Sequence, residues 1–390
     1  MALTARPPFF SHGMGLGAVP PDWPPLRTEE VRRLLGRLSR LGGPSAAGIS
    51  WHSPRPFSAA AVVSLPGAGG EPRRLVVKRH HAAVRTATSL EDEHHFMRYL
   101  EDHAMAVPRV IDDDGRSAWP EGDFVYEVQE MLDGQDLYRD ALSWTPFFSV
   151  GHAAAAGRAL AHLHLASQGY TAPARSPAPL NASCAIISSG DPIAAAAALA
   201  EARPGLGDFL RHRPWRQELS RGLGPLQAQF LPFAGLLSPL WAHNDWHPSN
   251  LLWSGGGPAA QVAGILDFGL SNLTTACYDL ATAVERSAIG WLEPARGRPV
   301  RTDLVKAVLD GYRSVRPLLP AEAAALPYLL PVVHVDYALS EVEYFHAVVR
   351  SPANAMLAYG DYLLGHLEWF SSPEGLRLCS YVERELAQLR

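Results

Sequence analysis

Two short polar motifs, each next to apolar sequence, limit what this chain can fold into. The first spans residues 243–250 and places Asp245 five residues before Asn250. The second is Asp-Phe-Gly at residues 267–269, directly after the apolar residues 264–266. The strand-like sequence around both motifs predicts that they lie in loops next to strands. Either motif alone is compatible with an ordinary polar turn, but the two in this order indicate a functional site.

The two motifs supply the groups that phosphoryl transfer needs. A carboxylate can orient an attacking hydroxyl and accept its proton, which is the role predicted for Asp245. Carboxylate and amide oxygens are ligands that Mg²⁺ prefers, so Asp267 and Asn250 are the predicted metal ligands. The sequence therefore predicts a kinase that needs Mg²⁺ and takes ATP or GTP as co-substrate.

A zinc site is a further alternative for the first motif. His243 and His247 are four residues apart, a spacing that can bind a metal on a helix. Pro248 and the flanking apolar residues favour a loop, and a zinc site would need a third ligand that is not obvious in the sequence. We interpret His243 as a residue that braces the loop, and a zinc-dependent hydrolase stays as an alternative.

Length and charge exclude other classes of protein. The 390 residues are enough for two domains or lobes, and 47% hydrophobic residues predict a substantial core. The net charge of −5 gives no electrostatic surface for nucleic acid. Three distant cysteines are typical of a reducing compartment. No apolar run reaches the ~20 residues that cross a membrane, and prolines interrupt the N-terminus, so we expect a cytoplasmic protein.

Element signals divide the chain into three parts. Residues 1–44 are an irregular lead-in with a helix that Thr28 caps, residues 45–132 are β-rich, and residues 133–390 are mostly helical. The predicted strands are at 59–65, 75–78, 107–111 and 124–131, with a hairpin turn at 66–70 and a helix at 90–103. Asp191 before Pro192 predicts another helix start. This order predicts an α+β fold with a small β-rich lobe and a larger helical lobe.

Lys78 ends a β-branched strand in the β-rich part. A strand that delivers a lysine into a half-buried position suggests an anionic ligand, unless the side chain only reaches to water. Glu93 is the predicted partner, because it lies on the helical face shared with Met97 and Leu100. Glu91 is the competing partner. The pair would hold an ammonium group ready for the α- and β-phosphates of a nucleotide.

The segment at 124–134 predicts a connection between the two lobes. An extended connection offers main-chain groups to a purine edge, and the candidates are residues 129–131, with Gln129 and Met131 at its ends.

The chain resembles the aminoglycoside phosphotransferase and choline kinase-like branch of the protein-kinase fold. The matching residues are Lys78, Glu93 and segments 132–134, 157–164, 243–250 and 267–269. The resemblance covers roughly residues 45–285 and implies a two-lobed fold whose N-lobe, 45–132, binds the nucleotide. The C-lobe, 133–390, would then carry the catalytic loop and the acceptor site.

The resemblance also implies roles for individual residues. Asp245 would be the catalytic base, Asn250 and Asp267 would bind Mg²⁺, and Lys78 with Glu93 would hold the phosphates. Asp279 would brace the catalytic loop, although a purely structural role is equally good. The chain departs from the expected pattern in two places. Asn244 stands where protein kinases usually have arginine. The loop that the resemblance expects to cover the nucleotide, at 51–58, contains no glycine, and its polar residues Ser53, Arg55 and Ser58 would contact phosphate or form an ordinary turn.

The acceptor is predicted to be a small molecule with a hydroxyl group. Only eleven residues separate Asp267 from Asp279, which leaves little room for an activation loop or a peptide platform. Asp336, Glu341 and Glu343 lie in the C-terminal helical region, and these carboxylates would suit an amine-bearing acceptor. A solvated acidic face is the alternative for them. For the whole protein, a protein kinase and an inactive nucleotide-binding scaffold are the alternatives, and the oligomeric state stays open.

Overall fold

The computed structural model describes residues 10–12, 17–41, 47–66, 72–176 and 178–387. The chain forms two compact units: an N-terminal unit of residues 1–95 and 108–132, and a C-terminal unit of residues 96–107 and 133–390. Within the described ranges, no helix has both the length and the apolar character needed to cross a membrane.

The N-terminal unit is built around an antiparallel sheet. Its strand order is β3-β4-β5-β7-β6, and a separate two-stranded pair, β1-β2, precedes it. Helix α2 crosses the division between the units at residue 95. The elements are β1 (Ser11–His12), β2 (Ala18–Val19), α1 (Thr28–Leu35), β3 (Gly48–His52), β4 (Ala59–Leu65), β5 (Arg73–His81), α2 (Ala87–Asp102), β6 (Trp119–Glu121) and β7 (Phe124–Glu130).

The two faces of this sheet differ in chemistry. Leu75 and Val77 of β5 and Val128 of β7 are fully buried in an apolar cluster that includes Leu35 of α1. Since successive residues of a strand point to opposite faces, Lys78 lies on the other face. The antiparallel register sets Lys78 directly across from Glu127 of β7. One face is therefore an apolar core, and the other carries charged groups.

Several predicted elements of this unit are confirmed. Strands β4, β5 and β7 and helix α2 occur where the sequence predicts them. The predicted strand at 107–111 is wrong, because the segment makes only an isolated bridge between Val110 and Gln129. Strand β6 already pairs with the first residues of β7 along that edge, and Pro108 lacks the N–H that a longer ladder needs.

Two predicted helix starts have different outcomes. Helix α1 begins at Thr28, but its N-cap residue is Arg27, whose N–H donates to Glu30 Oε2 over 3.2 Å. The prediction that Thr28 caps this helix is therefore wrong. The cap by Asp191 is confirmed, because its side chain accepts the N–H groups of Ile193 and Ala194. Most of the predicted hairpin turn, residues 67–70, lies outside the described residues.

Helices make up most of the C-terminal unit. The strands are β8 (Pro239–Ala242), β9 (Leu251–Trp253), β10 (Val262–Ile265) and β11 (Asn272–Thr275). The helices are α3 (Val150–Ala166), α4 (Pro192–Ala202), α5 (Pro204–Leu210), α6 (Trp215–Ala234), α7 (Ala276–Ala288), α8 (Thr302–Arg313), α9 (Pro320–Leu329), α10 (Val335–Glu343), α11 (Pro352–Leu357), α12 (Gly365–Phe370) and α13 (Pro373–Ala387). Two π-helical segments, Tyr344–Val348 and Ala358–Leu364, follow α10 and α11. A β-rich unit and a helical unit confirm the predicted α+β fold.

Two short antiparallel pairs position the polar motifs in the C-terminal unit. Strand β8 pairs with β11, and β9 pairs with β10. The segment 243–250 connects β8 to β9, and Asp267 follows β10 by two residues. The N–H of Leu266 donates to Asn250 O over 2.8 Å. This bond holds the ends of the two motifs side by side.

Helices α3 and α8 pack closely, and this packing positions His164, a neighbour of Asp279. A Cβ atom at Gly157 would overlap the main chain of Val308, and one at Gly311 would overlap the main chain of Ala154. Only glycine allows this approach. It lets the hydroxyl of Tyr312 reach His164 Nδ1 over 2.7 Å in the buried interior.

Candidate active site

The loop at 243–250 is fixed at its start by a buried carboxylate. Asp279 is fully buried, and its two oxygens accept the N–H of His243 over 2.8 Å and the N–H of Asn244 over 3.0 Å. His164 Nε2 lies 3.2 Å from Asp279 Oδ2. These two main-chain amides follow the end of β8, and the Asp279 carboxylate is their hydrogen-bond acceptor. Asp279 therefore braces the loop that carries Asp245.

Asn244 adds a second brace, in a conformation that suits asparagine. Its φ angle is 62°, in the left-handed region that asparagine tolerates better than most residues. The side-chain amide donates to Leu270 O and Asn272 O, and its oxygen accepts a 2.6 Å hydrogen bond from the hydroxyl of Thr274. An arginine at this position could not make this compact set of bonds.

Asp245 is the partly exposed carboxylate at the tip of this loop. Asn250 Nδ2 donates to Asp245 Oδ2 over 3.0 Å and to Asp245 O over 2.9 Å. His247 Nε2 lies 3.5 Å from Asp245 Oδ1, and Arg286 makes a close ion pair with the same oxygen. Burial raises the pKa of Asp245, but Arg286 and the nearby histidines outweigh burial and hold the pKa well below its usual range. The carboxylate is therefore ionised at neutral pH.

Arg286 is the functional candidate that the sequence reasoning missed. It lies seven residues after Asp279 on α7, a helix whose residues are all buried, so both side chains are on the face toward the loop at 243–250. The side chain of Arg286 is only 4% exposed. The sequence signal that could have identified it is an arginine two helical turns after Asp279, on the same face of the helix.

Asn250 and Asp267 present oxygen ligands of the kind that Mg²⁺ prefers. The side-chain nitrogen of Asn250 donates both hydrogen bonds to Asp245, so the amide oxygen takes no part in those two bonds. Asp267 has a left-handed φ of 57° and an exposed side chain. A carboxylate oxygen from Asp267 and an amide oxygen from Asn250 are both suitable ligands for a divalent cation.

The loop histidines do not form a metal cluster in the part of the chain that the structure describes. There, no group of three or more His, Cys, Asp or Glu side chains is arranged to hold a metal ion. His243 Nε2 lies 2.8 Å from Leu266 O, and its ring packs on Phe268 at 4.9 Å. His243 therefore has the loop-bracing role that the sequence analysis expects.

In the N-terminal unit, Lys78 belongs to a buried polar cluster. Its Nζ lies 3.8 Å from Glu127 Oε1, a carboxylate that is fully buried. His80 Nε2 and His94 Nε2 each lie 2.9 Å from an oxygen of Glu127. Burial raises the pKa of Glu127, but Lys78 and the two histidines outweigh it and keep the pKa well below its usual range. Glu93, the predicted partner of Lys78, is also buried in this unit.

The sequence reasoning missed Glu127, His80 and His94. A signal was present for two of them, since His80 follows Lys78 by two residues and Glu127 lies two residues before Gln129, which sets each pair on one face of a strand. The predicted nucleotide residues of this segment are partly engaged within the unit. Gln129 Nε2 donates to Glu127 Oε2 over 2.7 Å, and the N–H of Met131 donates to Arg74 O over 3.1 Å.

The three predicted acceptor carboxylates are buried in the C-terminal unit, so they do not form a solvated acidic face. Asp336 accepts the N–H of Ile186 over 3.0 Å, although burial raises its pKa to about 6. Glu343 makes a close ion pair with Arg203, which opposes the raising effect of burial on its pKa. These two side chains therefore hold neighbouring segments together.

Glu341 differs from the other two carboxylates because it lies close enough to Asp245 and Arg286 to interact with their charges. Burial raises the pKa of Glu341 to about 8, while the nearby Arg286 and a hydrogen bond from Tyr337 lower it. Asp245 is close enough to contribute to the raised pKa. Of the three predicted carboxylates, Glu341 is the one whose charge interacts with the Asp245–Arg286 pair.

Comparison with known proteins gives consistent results. The model of the phosphotransferase enzyme family matches residues 67–318. The homoserine kinase of Gluconacetobacter diazotrophicus is 28% identical over 273 residues, which are 68% of this chain and 72% of that protein. The homoserine kinase of Gluconobacter oxydans is 31% identical over 224 residues, 55% of this chain and 60% of that protein.

A solved structure has a similar fold. It is an amicoumacin kinase in complex with AMP-PNP, Ca²⁺ and Ami, with a TM-score of 0.54 and 14% identity over 94% of this chain and 98% of that one. At this identity the likeness shows the kinase-like fold, in agreement with the two-lobed α+β fold expected from the sequence. The family match covers well over half of the chain. This chain therefore belongs to the phosphotransferase enzyme family and is a nucleotide-dependent phosphotransferase that acts on an alcohol group of a small molecule.

Proposed function

We propose that Asp245 is the base in transfer of the γ-phosphate of ATP or GTP to the acceptor's hydroxyl. The carrying observation is the braced loop, in which Asp279 and Asn244 fix the main chain and Asn250 orients the Asp245 carboxylate. An ionised carboxylate held in this way can accept a hydrogen bond from the hydroxyl and take its proton as the oxygen attacks phosphorus.

Mg²⁺ is the proposed metal, held by Asn250 and Asp267. When bound, it neutralises charge on the transferring phosphate. One carboxylate and one amide are few protein ligands, which suits Mg²⁺ because it usually binds substrate phosphates and water as well. The N–H of Leu266 on Asn250 O keeps the two ligands in neighbouring positions before any metal arrives.

The N-terminal unit is proposed to bind the nucleotide, with Lys78 as the phosphate ligand. Its ammonium lies beside the buried Glu127 carboxylate, and His80 and His94 hold that carboxylate in place. Glu93 stays as the second proposed partner of Lys78. The main chain near Gln129 and Met131 is proposed to meet the purine.

The acceptor is proposed to be a small amino-acid-like alcohol, with homoserine as the first compound to test. Two relatives that match over more than half of this chain are homoserine kinases. The site also agrees with a compact acceptor, since Asp336 and Glu343 are engaged by the protein itself and Glu341 stays near Asp245.

The test is substrate-dependent release of ADP or GDP in the presence of Mg²⁺. The panel contains L-homoserine, choline, ethanolamine and several aminoglycosides, and mass spectrometry identifies the phosphorylated product. Asp245→Asn serves as the inactive control. We expect phosphorylation of a hydroxyl in this panel. Nucleotide binding without any phosphorylated product would contradict the proposal and favour an inactive scaffold.

A further inference from the structure

The catalytic carboxylate is covered by a positive charge from its own chain. Arg286 makes its ion pair with Asp245 Oδ1, while Asn250 occupies Asp245 Oδ2. A base that must accept a proton from a hydroxyl needs a lone pair directed at that hydroxyl. Arg286 pairs with Asp245 Oδ1, which is the oxygen that Asn250 does not contact through its side-chain hydrogen bond. Catalysis therefore requires that Arg286 release Asp245 and pair with a different anion.

The surroundings of Arg286 contain polar atoms without partners. The guanidinium lies over the rings of Trp144 and Tyr337, with its centre 5.3 Å and 5.0 Å from the ring centroids. Within the described part of the chain, Arg286 Nε, Glu341 Oε2 and the hydroxyl of Tyr362 are buried and make no hydrogen bond. Buried polar atoms in folded proteins nearly always have a partner, so three orphans in one region indicate a missing ligand.

The orphaned groups differ in chemistry, which narrows the class of ligand. Arg286 is a permanent cation whose planar fork matches a carboxylate. Glu341 is only 2% exposed, and burial raises its pKa to about 8, so its carboxyl group is protonated at neutral pH until a cation such as an ammonium group pairs with it. The other ionisable side chains that act on these two are Asp245, Glu285, Tyr337 and Tyr362. A ligand with one positive and one negative group would give Glu341 and Arg286 one partner each.

We propose that Arg286 and Glu341 form the receptor for the head group of an α-amino acid acceptor. Arg286 binds the acceptor's carboxylate and Glu341 binds its ammonium. The incoming carboxylate takes Arg286 away from Asp245, which exposes the base only when the correct acceptor is present. This inference rests on the proposed kinase function and specifies which acceptors it accepts.

The transfer step is balanced once Arg286 has moved. The acceptor oxygen forms a bond to the γ-phosphorus, and the bond between that phosphorus and the β–γ bridging oxygen breaks. The hydroxyl proton goes to Asp245, and the electron pair of the broken bond leaves with the nucleoside diphosphate. Without an acceptor, Arg286 covers Asp245, so water is a poor substitute for the acceptor.

Three compounds test the receptor on the unaltered protein. L-Homoserine has both charged groups, 3-aminopropan-1-ol lacks the carboxylate, and 4-hydroxybutanoate lacks the ammonium. In all three, a primary hydroxyl lies two carbons away from the carbon that corresponds to the α carbon of L-homoserine. We expect kcat/KM to fall on the order of 10⁴- to 10⁵-fold for each truncated compound, because a site built for a polar group rejects analogues that lack it. Equal use of 3-aminopropan-1-ol and L-homoserine would overturn the role of Arg286.

Two variants assign the selectivity to residues. Arg286→Gln should reduce the preference for L-homoserine over 3-aminopropan-1-ol to less than about 10-fold, because the carboxylate of L-homoserine then has no cationic partner. It should also raise acceptor-independent nucleotide hydrolysis. Arg79→Gln is the matched control, since Arg79 makes a buried ion pair with Glu30 over 2.6 Å in the N-terminal unit. The control should lose stability and keep the preference.

Glu341→Gln examines the other half of the receptor. It should reduce the preference for L-homoserine over 4-hydroxybutanoate and leave the preference over 3-aminopropan-1-ol intact. An unchanged pattern in both variants would refute the receptor while the kinase function stands. If another alcohol without this head group is the good substrate, the inference fails but the kinase function again stands. If no alcohol is phosphorylated, the kinase function itself fails.

Discussion

Removal of the Asp279 carboxylate should strongly destabilise the protein. In Asp279→Ala, the N–H groups of His243 and Asn244 lose their acceptor, and His164 Nε2 loses its partner. A buried donor without a partner costs about 1–3 kcal/mol, so the two amides alone cost roughly 2–6 kcal/mol. Typical domains have only about 5–15 kcal/mol of stability. We therefore expect a large fraction of the free energy of unfolding to disappear.

Urea denaturation of the purified variants measures this loss. Tryptophan fluorescence is a suitable probe, because Trp241 and Trp246 flank the braced turn and are buried. The control is Asp303→Ala, which removes an aspartate that is 47% exposed and pairs with Arg301. An exposed pair of this kind contributes at most about 1 kcal/mol.

The conservative variant separates the loss of the brace from the loss of charge. Asp279→Asn keeps one side-chain oxygen as an acceptor, so we expect it to be destabilised less than Asp279→Ala and to retain a folded loop. The reasoning is refuted if Asp279→Ala lowers the free energy of unfolding by less than about 1 kcal/mol, because two unsatisfied buried amides should destabilise the protein by more than that. It is also refuted if Asp303→Ala loses as much.

Three further perturbations examine the rest of the site. Asp245→Asn should bind nucleotide normally and slow turnover by ~10²–10⁴-fold; steady-state kinetics that stay within a few-fold of the parent would remove Asp245 as the base. Asp267→Ala should abolish the Mg²⁺-dependent rise in Tm with nucleotide, a stabilisation of about 2.7 kcal/mol at ~100 times Kd; a full thermal shift would contradict its role. Burial raises the pKa of Glu341 in the folded protein from 4.5 to about 8. The folded state therefore binds this proton more tightly than the unfolded state, and the free energy of unfolding falls as pH rises toward 8. Glu341→Gln should therefore give a flatter dependence of Tm on pH between 5 and 8 than the parent, and parallel curves would exclude this titration.

Local patterns were sufficient for the fold class and for the two motifs. Alternation of apolar residues predicted β4, β5 and β7, because side-chain direction in a strand depends only on sequence neighbours. Spacing within 243–250 predicted a loop with Asp245 and Asn250 on it, and the structure brings these two side chains within 3.0 Å. The predicted strand at 107–111 failed because pairing depends on which edge β6 already occupies.

By itself, the sequence determined which polar side chains share the short segments 243–250 and 267–269, since those groups are close together along the chain. Only the tertiary structure decided which distant charges meet. Arg286 reaches Asp245 across 41 residues, and His94 reaches Glu127 across 33 residues. A buried charge is stable only where packing delivers a partner of opposite sign. That choice is made by the register of β5 with β7 and by the position of α7, which no local pattern encodes.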